Sequence, residues 1–93
     1  MNDDHKLAEQ LKRLKFRSWH RGTREMDLLL GRFADAHLAA FSPAELDQYE
    51  ELLKQSDPDL YNWITGAETP LPEFNHDVMK LLCTYSFANK KVV

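Results

Sequence analysis

The sequence predicts an all-α fold: a single domain built as a compact bundle of five helices. Apolar residues recur at intervals of three and four through every long segment, the spacing that lines one face of a helix. No segment alternates apolar and polar residues as a half-buried strand does. The joints between segments carry Ser-Pro, Asp-Pro and Gly, which start and stop helices. A chain of 93 residues cannot bury two cores, so one domain spanning 1–93 is expected, frayed over about 1–5 and 90–93. The lone Cys83 has no disulfide partner within the chain, so this core must hold by packing.

Leu7, Leu11 and Leu14 place the first helix over residues 4–18, with Lys12, Arg13 and Lys15 on its other sides. Met26, Leu29, Leu30, Phe33, His37 and Phe41 mark the second helix over 23–41. Gly31 interrupts that pattern at a cost of about 1 kcal/mol relative to Ala, which a close helix–helix contact would explain. In "FSPAEL", Ser42 is the expected N-cap, Pro43 takes the first helical position and Glu45 completes a capping box, with Phe41 and Leu46 placed as a hydrophobic staple. The third helix, 43–55, buries Leu46, Tyr49, Leu52 and Leu53. "SDPDLYNWITG" starts the fourth, with Asp57 as N-cap, Pro58 following it, Asp59 near the positive helix end and Gly66 as the stop. "AETPLP" connects to a last helix over 73–88, striped by Phe74, Val78, Leu81, Leu82 and Tyr85. Leu30, Phe33, Leu46, Leu53, Leu81 and Leu82 are the expected core.

The net charge of −3 conceals an asymmetry. Six basic residues and no acidic one fall between Lys12 and Arg24, whereas Lys54 is the only base among ten acids from Asp35 to Asp77. Such a distribution can orient a partner or simply form solvated faces. Nucleic acid is not indicated: the basic stretch is short, the chain is acidic overall and no recognition motif accompanies it. No apolar run approaches the roughly 20 residues that span a bilayer. The opening "MNDDHKLAEQ" has the features of neither a secretory signal nor a transit peptide, so a bacterial cytoplasmic protein is expected.

No catalytic constellation is legible. His5, His20, His37 and His76 are scattered without metal-ligand spacing, and His37 falls on the apolar stripe as a core-edge residue. Cys83 in "LLCTY" reads as a small apolar residue rather than a nucleophile. Phosphate loops, nucleophile elbows and paired carboxylates are missing from the sequence. The expectation is no metal, no stably bound cofactor and no catalysis by this chain alone.

The segment "SWHRGTREMDLLLG", residues 18–31, needs a different account. As a helix start, it uses Gly22 at the cap and Glu25 reaching back from the third helical position to free backbone N–H groups. An Arg21–Glu25 pair has the less favourable order for intrahelical support. A helix start therefore leaves Arg21 and the aromatic "SWH" unexplained. Read as a docking corner, the same residues offer a backbone that approaches closely at Gly22, a guanidinium fork at Arg21 and an aromatic anchor at Trp19. Spacing alone leaves the two readings level.

"RGTREMD" resembles the Arg-Gly-x-x-Glu motif of the small flavinylation factors of succinate dehydrogenase, called SdhE in bacteria and represented in mitochondria by an assembly factor of the same type. "LKFRSWHRGTREMDLLLGRFADAHL", "FSPAELDQYEELLKQSDPDLYNWITG" and the closing helix follow the family order over roughly residues 7–90. The resemblance implies an all-helical assembly chaperone, not an enzyme. Its partner would be the flavoprotein subunit of succinate dehydrogenase, with fumarate reductase flavoproteins as clients in some bacteria. It would promote covalent attachment of FAD to a histidine of that subunit, the client carrying the FAD. The resemblance carries over Arg21, Gly22 and Glu25 as client-binding residues, and Trp19 and His20 flank them; His20 stands where many relatives have a second arginine. On this reading Arg21 pairs with a client carboxylate and Glu25 with a client base or backbone N–H. The protein is expected to be a monomer when free and not to insert into membranes. Two other readings use the same corner: an antitoxin-like regulator that binds a small membrane-associated toxin, and a helical interaction module with another client.

Overall fold

The computed structural model describes the backbone of residues 2–88 and the side chains from His5 to Ala88. Five α-helices and two 3₁₀ turns make up its elements, with no strand among the described residues. They are α1 (Asn2–Trp19), α2 (Arg24–His37), α3 (Pro43–Leu53), α4 (Asp57–Thr65) and α5 (Asp77–Ala88). The backbone is helical from Asn2 onward; the fraying expected at Met1 and over 90–93 lies outside the described residues.

The second and last helices are each shorter than their apolar stripes imply. Residues 38–40, expected within the second helix, instead form a 3₁₀ turn, with Leu38 fully buried and Phe41 extended. The chain must turn there because Ser42 caps α3: its hydroxyl accepts from the Glu45 N–H while the Glu45 carboxylate accepts from the Ser42 N–H, completing the capping box. The last helix starts four residues later than expected. Pro72–Phe74 is a separate 3₁₀ turn, and α5 begins at Asp77. His76 acts as its cap, Nδ1 accepting from the Met79 N–H at 3.1 Å. Phe74 is buried as expected, but from this turn, where it stacks on Trp63 with ring centroids 5.4 Å apart. At α4 the N-cap is Ser56, not Asp57: the Ser56 hydroxyl accepts from the Asp59 N–H, and Asp57 and Pro58 open the helix. Gly66 closes α4 in the left-handed conformation at φ +84, as the sequence suggests.

α1 packs against α2 and α3, and α5 packs against α2, α3 and α4. Phe33, fully buried, sits at the hub, its ring within 5.0–6.1 Å of those of His37, Phe41, Tyr49 and Tyr85. Of the six residues expected in the core, Leu30, Phe33, Leu46, Leu53 and Leu82 are buried, while Leu81 is partly exposed and packs against the core's edge. Inside this apolar mass lies one polar node. Ser18 donates to the Leu14 carbonyl at 2.7 Å and lies 2.6 Å from the Tyr49 hydroxyl; both side chains are fully buried. Burial holds the Tyr49 phenol protonated, well above its ordinary range, despite the Ser18 hydrogen bond and the nearby Arg21 charge. A buried neutral hydroxyl pair thus ties α1 to α3 where an apolar contact would leave register less defined.

Part of the charge asymmetry is resolved within the molecule. Arg13 on α1 pairs with Glu50 on α3 at 3.1 Å, and Gln10 donates to both Asp47 and Glu50 at 3.0 Å. The basic first third of the chain thereby meets the acidic middle.

Candidate functional site

The turn between α1 and α2 is built from several local devices, each traceable to a side chain. His20 closes α1: its Nδ1–H donates to the Phe16 carbonyl at 2.7 Å, and its ring stacks on that of Phe16 at 4.1 Å. Gly22 follows at φ +118, in the region that side chains rarely occupy. Thr23 then caps α2, its hydroxyl accepting from the Met26 N–H at 3.3 Å. Asp27 reaches back from inside the helix. Its Oδ1 accepts from the N–H of Arg21 at 2.5 Å and of Gly22 at 3.3 Å. The loop is therefore held by its own side chains.

Arg21 turns inward. Its Nε donates to Asp57 Oδ1 at 2.8 Å, and Nη2 lies 2.8 Å from the same oxygen. Nη1 donates to the Leu53 carbonyl at 2.6 Å and Nη2 to the Gln55 carbonyl at 2.9 Å. The side chain is 11% exposed. One cation thus meets the carbonyl-rich end of α3 and the carboxylate at the start of α4, where the helix end and the acid both favour positive charge. The first motif, at Arg21, and the second, "DPDLYNWITG" at Asp57, are two halves of one clamp.

These contacts correct four expectations. Arg21 is no exposed fork for a client carboxylate; its donors are engaged by α3 and α4. Trp19 is no free anchor: its indole lies on Gly31, where a Cβ would overlap the ring, and Nε1 donates to Asp35 at 3.3 Å. That contact also gives Gly31 its reason, a close approach of α1 to α2. The N-cap is Thr23 rather than Gly22, which moves Glu25 to the second helical position and gives its expected back-reaching role to Asp27. Gly22 owes its identity first to its positive φ; a Cβ there would meet nothing within 4 Å, so its outer side is open. His20, Gly22 and Glu25 remain exposed. Glu25 makes no hydrogen bond or ion pair among the described residues.

Sequence reasoning missed Thr23, Asp27 and Tyr61. Thr23 carried a usable signal, because a Thr hydroxyl can accept from a free backbone N–H at a helix start, which Gly22 has no side chain to do. Nothing in the spacing tied Tyr61 to this corner. The fold brings it there: Thr23, Glu25 and Met26 of one motif face Asp57, Pro58, Tyr61 and Asn62 of the other across a groove of about 460 Å³. A larger hollow of about 620 Å³ lies between α4 and α5, lined by Trp63, Ile64, Cys83 and Phe87 among others. Its thiol is no poised nucleophile, since burial pushes the Cys83 pKa up and Sγ–H donates to the Trp63 carbonyl at 3.5 Å. Among the described residues, no three or more His, Cys, Asp or Glu converge as a metal site. Nor is any described helix long and apolar enough to cross a membrane.

The described residues thus form a small all-helical body whose corner between α1 and α2 is held by its own side chains. The chain belongs to the family described as flavinator of succinate dehydrogenase, whose model matches residues 12–86. It is 47% identical over 74 residues to the mitochondrial succinate dehydrogenase assembly factor 2 of Debaryomyces hansenii, covering 75% of this chain and 52% of that one. It is 45% identical over 67 residues to the FAD assembly factor SdhE of Acetobacter pasteurianus, covering 72% of this chain and 61% of that one. The chain thus spans about half to three-fifths of the length of these curated relatives.

Proposed function

We propose that this chain is an assembly chaperone that docks on the flavoprotein subunit of succinate dehydrogenase and promotes its covalent attachment of FAD. Family membership over residues 12–86 is the observation that carries this reading. The corner supplies its physical form. Arg21 and Asp27 tie down the backbone of the Arg21–Gly22 turn, so the backbone that carries an exposed carboxylate and an open glycine needs little further ordering on docking. The flavin, bound in the client, supplies the electrophilic chemistry. The chaperone's residues need only hold the client's parts at a productive geometry, a contribution that can be large without any bond being made. FAD is therefore held by the client and not stably by this chain, which acts as a free monomer before docking. Fumarate reductase flavoproteins are further clients on this reading, and a bacterial cytoplasm is its setting, in keeping with the Acetobacter relative.

The test is co-expression with a succinate dehydrogenase flavoprotein subunit, scoring covalent FAD by fluorescence after denaturing electrophoresis. The wild-type chain should raise covalent FAD well above the level without it. Equal fluorescence with and without the chain would overturn the proposal.

A further inference from the structure

We propose that the start of α5 is a proton-operated switch: neutral His76 caps the helix, whereas charged His76 leaves the cap for the acidic hollow beside it and lets the first turn of α5 open. The neutral state is the one seen here. Nδ1 of His76 accepts from the Met79 N–H at 3.1 Å, which places the ring proton on Nε2. An imidazolium has no acceptor, since both ring nitrogens then donate. Protonation therefore sets two N–H groups against each other. Met79 is 1% exposed, so its N–H, once orphaned, has little access to water in place of the ring. The turn has to move.

The charged ring has a place to go. His76 lines a hollow of about 270 Å³ between α3 and the Pro72–Phe74 turn, together with Gln48, Glu51, Glu73 and Phe74. Glu73 is exposed and makes no ion pair among the described residues. Glu51 is held by Lys54 at 3.2 Å, an exposed pair that a further charge can rearrange. On α5 itself, Asp77 adds a negative charge beside the ring. The first base of that helix is the exposed Lys80, whose backbone N–H donates to the His76 carbonyl at 3.0 Å. Burial lowers the His76 pKa in the capping state, outweighing its backbone hydrogen bond and the Asp77 charge, so uptake of a proton favours the open state. The opening reaches beyond one turn. Phe74, two residues before His76, stacks on Trp63 of α4 with ring centroids 5.4 Å apart, so release of this segment loosens α5 from α4.

The test follows the His76 ring and backbone amide exchange by NMR on the full chain between about pH 7 and pH 5. Exchange is expressed as protection, so that the intrinsic effect of pH on exchange cancels. At the higher pH the ring nitrogens should report the Nε2–H tautomer. As His76 takes up its proton, protection at Met79 and Lys80 should fall several-fold more than at Leu30 in α2. Contacts between the Phe74 and Trp63 rings should weaken with the same midpoint. His76→Asn, which keeps a capping oxygen and cannot titrate, should hold all of these constant. Glu51→Gln combined with Glu73→Gln should move the midpoint to lower pH, because the charged ring loses the carboxylates it turns towards. An equal loss of protection in every helix, the same opening in His76→Asn, or a midpoint unmoved by the two Gln substitutions would overturn the switch.

Discussion

Arg21 and Glu25 sit four residues apart and do opposite things. The guanidinium of Arg21 is 11% exposed and meets Asp57 and two carbonyls, so its removal orphans a carboxylate and the end of α3. Arg21→Ala should therefore cost about 2–4 kcal/mol and lower the melting temperature markedly. Arg21→Lys should rescue it poorly, because an ammonium cannot reach three acceptors in a plane. Glu25→Ala should leave the melting temperature nearly unchanged, within about 0.5 kcal/mol of wild-type stability, since the exposed carboxylate makes no hydrogen bond or ion pair among the described residues. Thermal unfolding of the three variants checks this, and an Arg21→Ala protein that melts like wild type would refute the clamp. The consequence for functional assays is direct. Loss of flavinylation in Arg21→Ala reports a disordered corner, whereas the same loss in Glu25→Ala reports docking.

At the scale of helices, Gly31 inverts an ordinary rule. Replacing a mid-helix glycine with alanine normally stabilises by about 1 kcal/mol. Here the new methyl would occupy the Trp19 indole, so Gly31→Ala should instead destabilise by about 1–3 kcal/mol as the ring is displaced from α2. A melting curve gives the sign, and altered Trp fluorescence would locate the strain at Trp19. The start of α5 carries a pH dependence. His76 caps it through an unprotonated Nδ1, and burial lowers its pKa below the ordinary histidine value, outweighing its own backbone hydrogen bond and the Asp77 charge. Protonation then favours the unfolded chain, where histidine binds its proton more readily. Stability from this residue is complete above pH of about 6.5 and falls as pH drops towards the lowered folded value. His76→Asn keeps a capping oxygen without titrating, so its melting temperature should vary less between about pH 7 and 5 than that of the wild type. Parallel curves for the two proteins would exclude His76 as the source.

Across the whole molecule, Phe33 links the helices that carry the corner to those that do not. It is fully buried against rings from α2, α3, α5 and the turn before α3. Phe33→Ala should cost about 3–5 kcal/mol. In a domain whose total stability is of order 5–15 kcal/mol, that leaves a marginal fold, readable by chemical denaturation. The same body explains why the basic and acidic halves of the chain coexist. Arg13–Glu50 and Arg21–Asp57 join them, while Glu25, which takes part in no such pair, stays exposed.

Local physics makes much of this molecule legible in the order of its residues. Helical periodicity is intrinsic to that order, so all five helices can be read from Leu7, Phe33, Tyr49, Trp63 and Leu82 and their neighbours. The Ser42–Glu45 box and the Gly66 stop depend on residues three or four apart, and both are present as read. Even the corner stands out as a place where Arg21 and Trp19 lack a local purpose. What local spacing cannot supply is where those side chains point. The partners of Arg21 are 32 to 36 residues away, Trp19 finds Gly31 only when α2 lies along α1, and Tyr61 joins Glu25 in one groove only when the fold brings the starts of α2 and α4 to the same corner. Spacing along a chain sets which face of a helix is apolar, but contacts between helices depend on their packing in three dimensions. The division between a buried clamp and an exposed carboxylate is therefore decided by the tertiary structure alone.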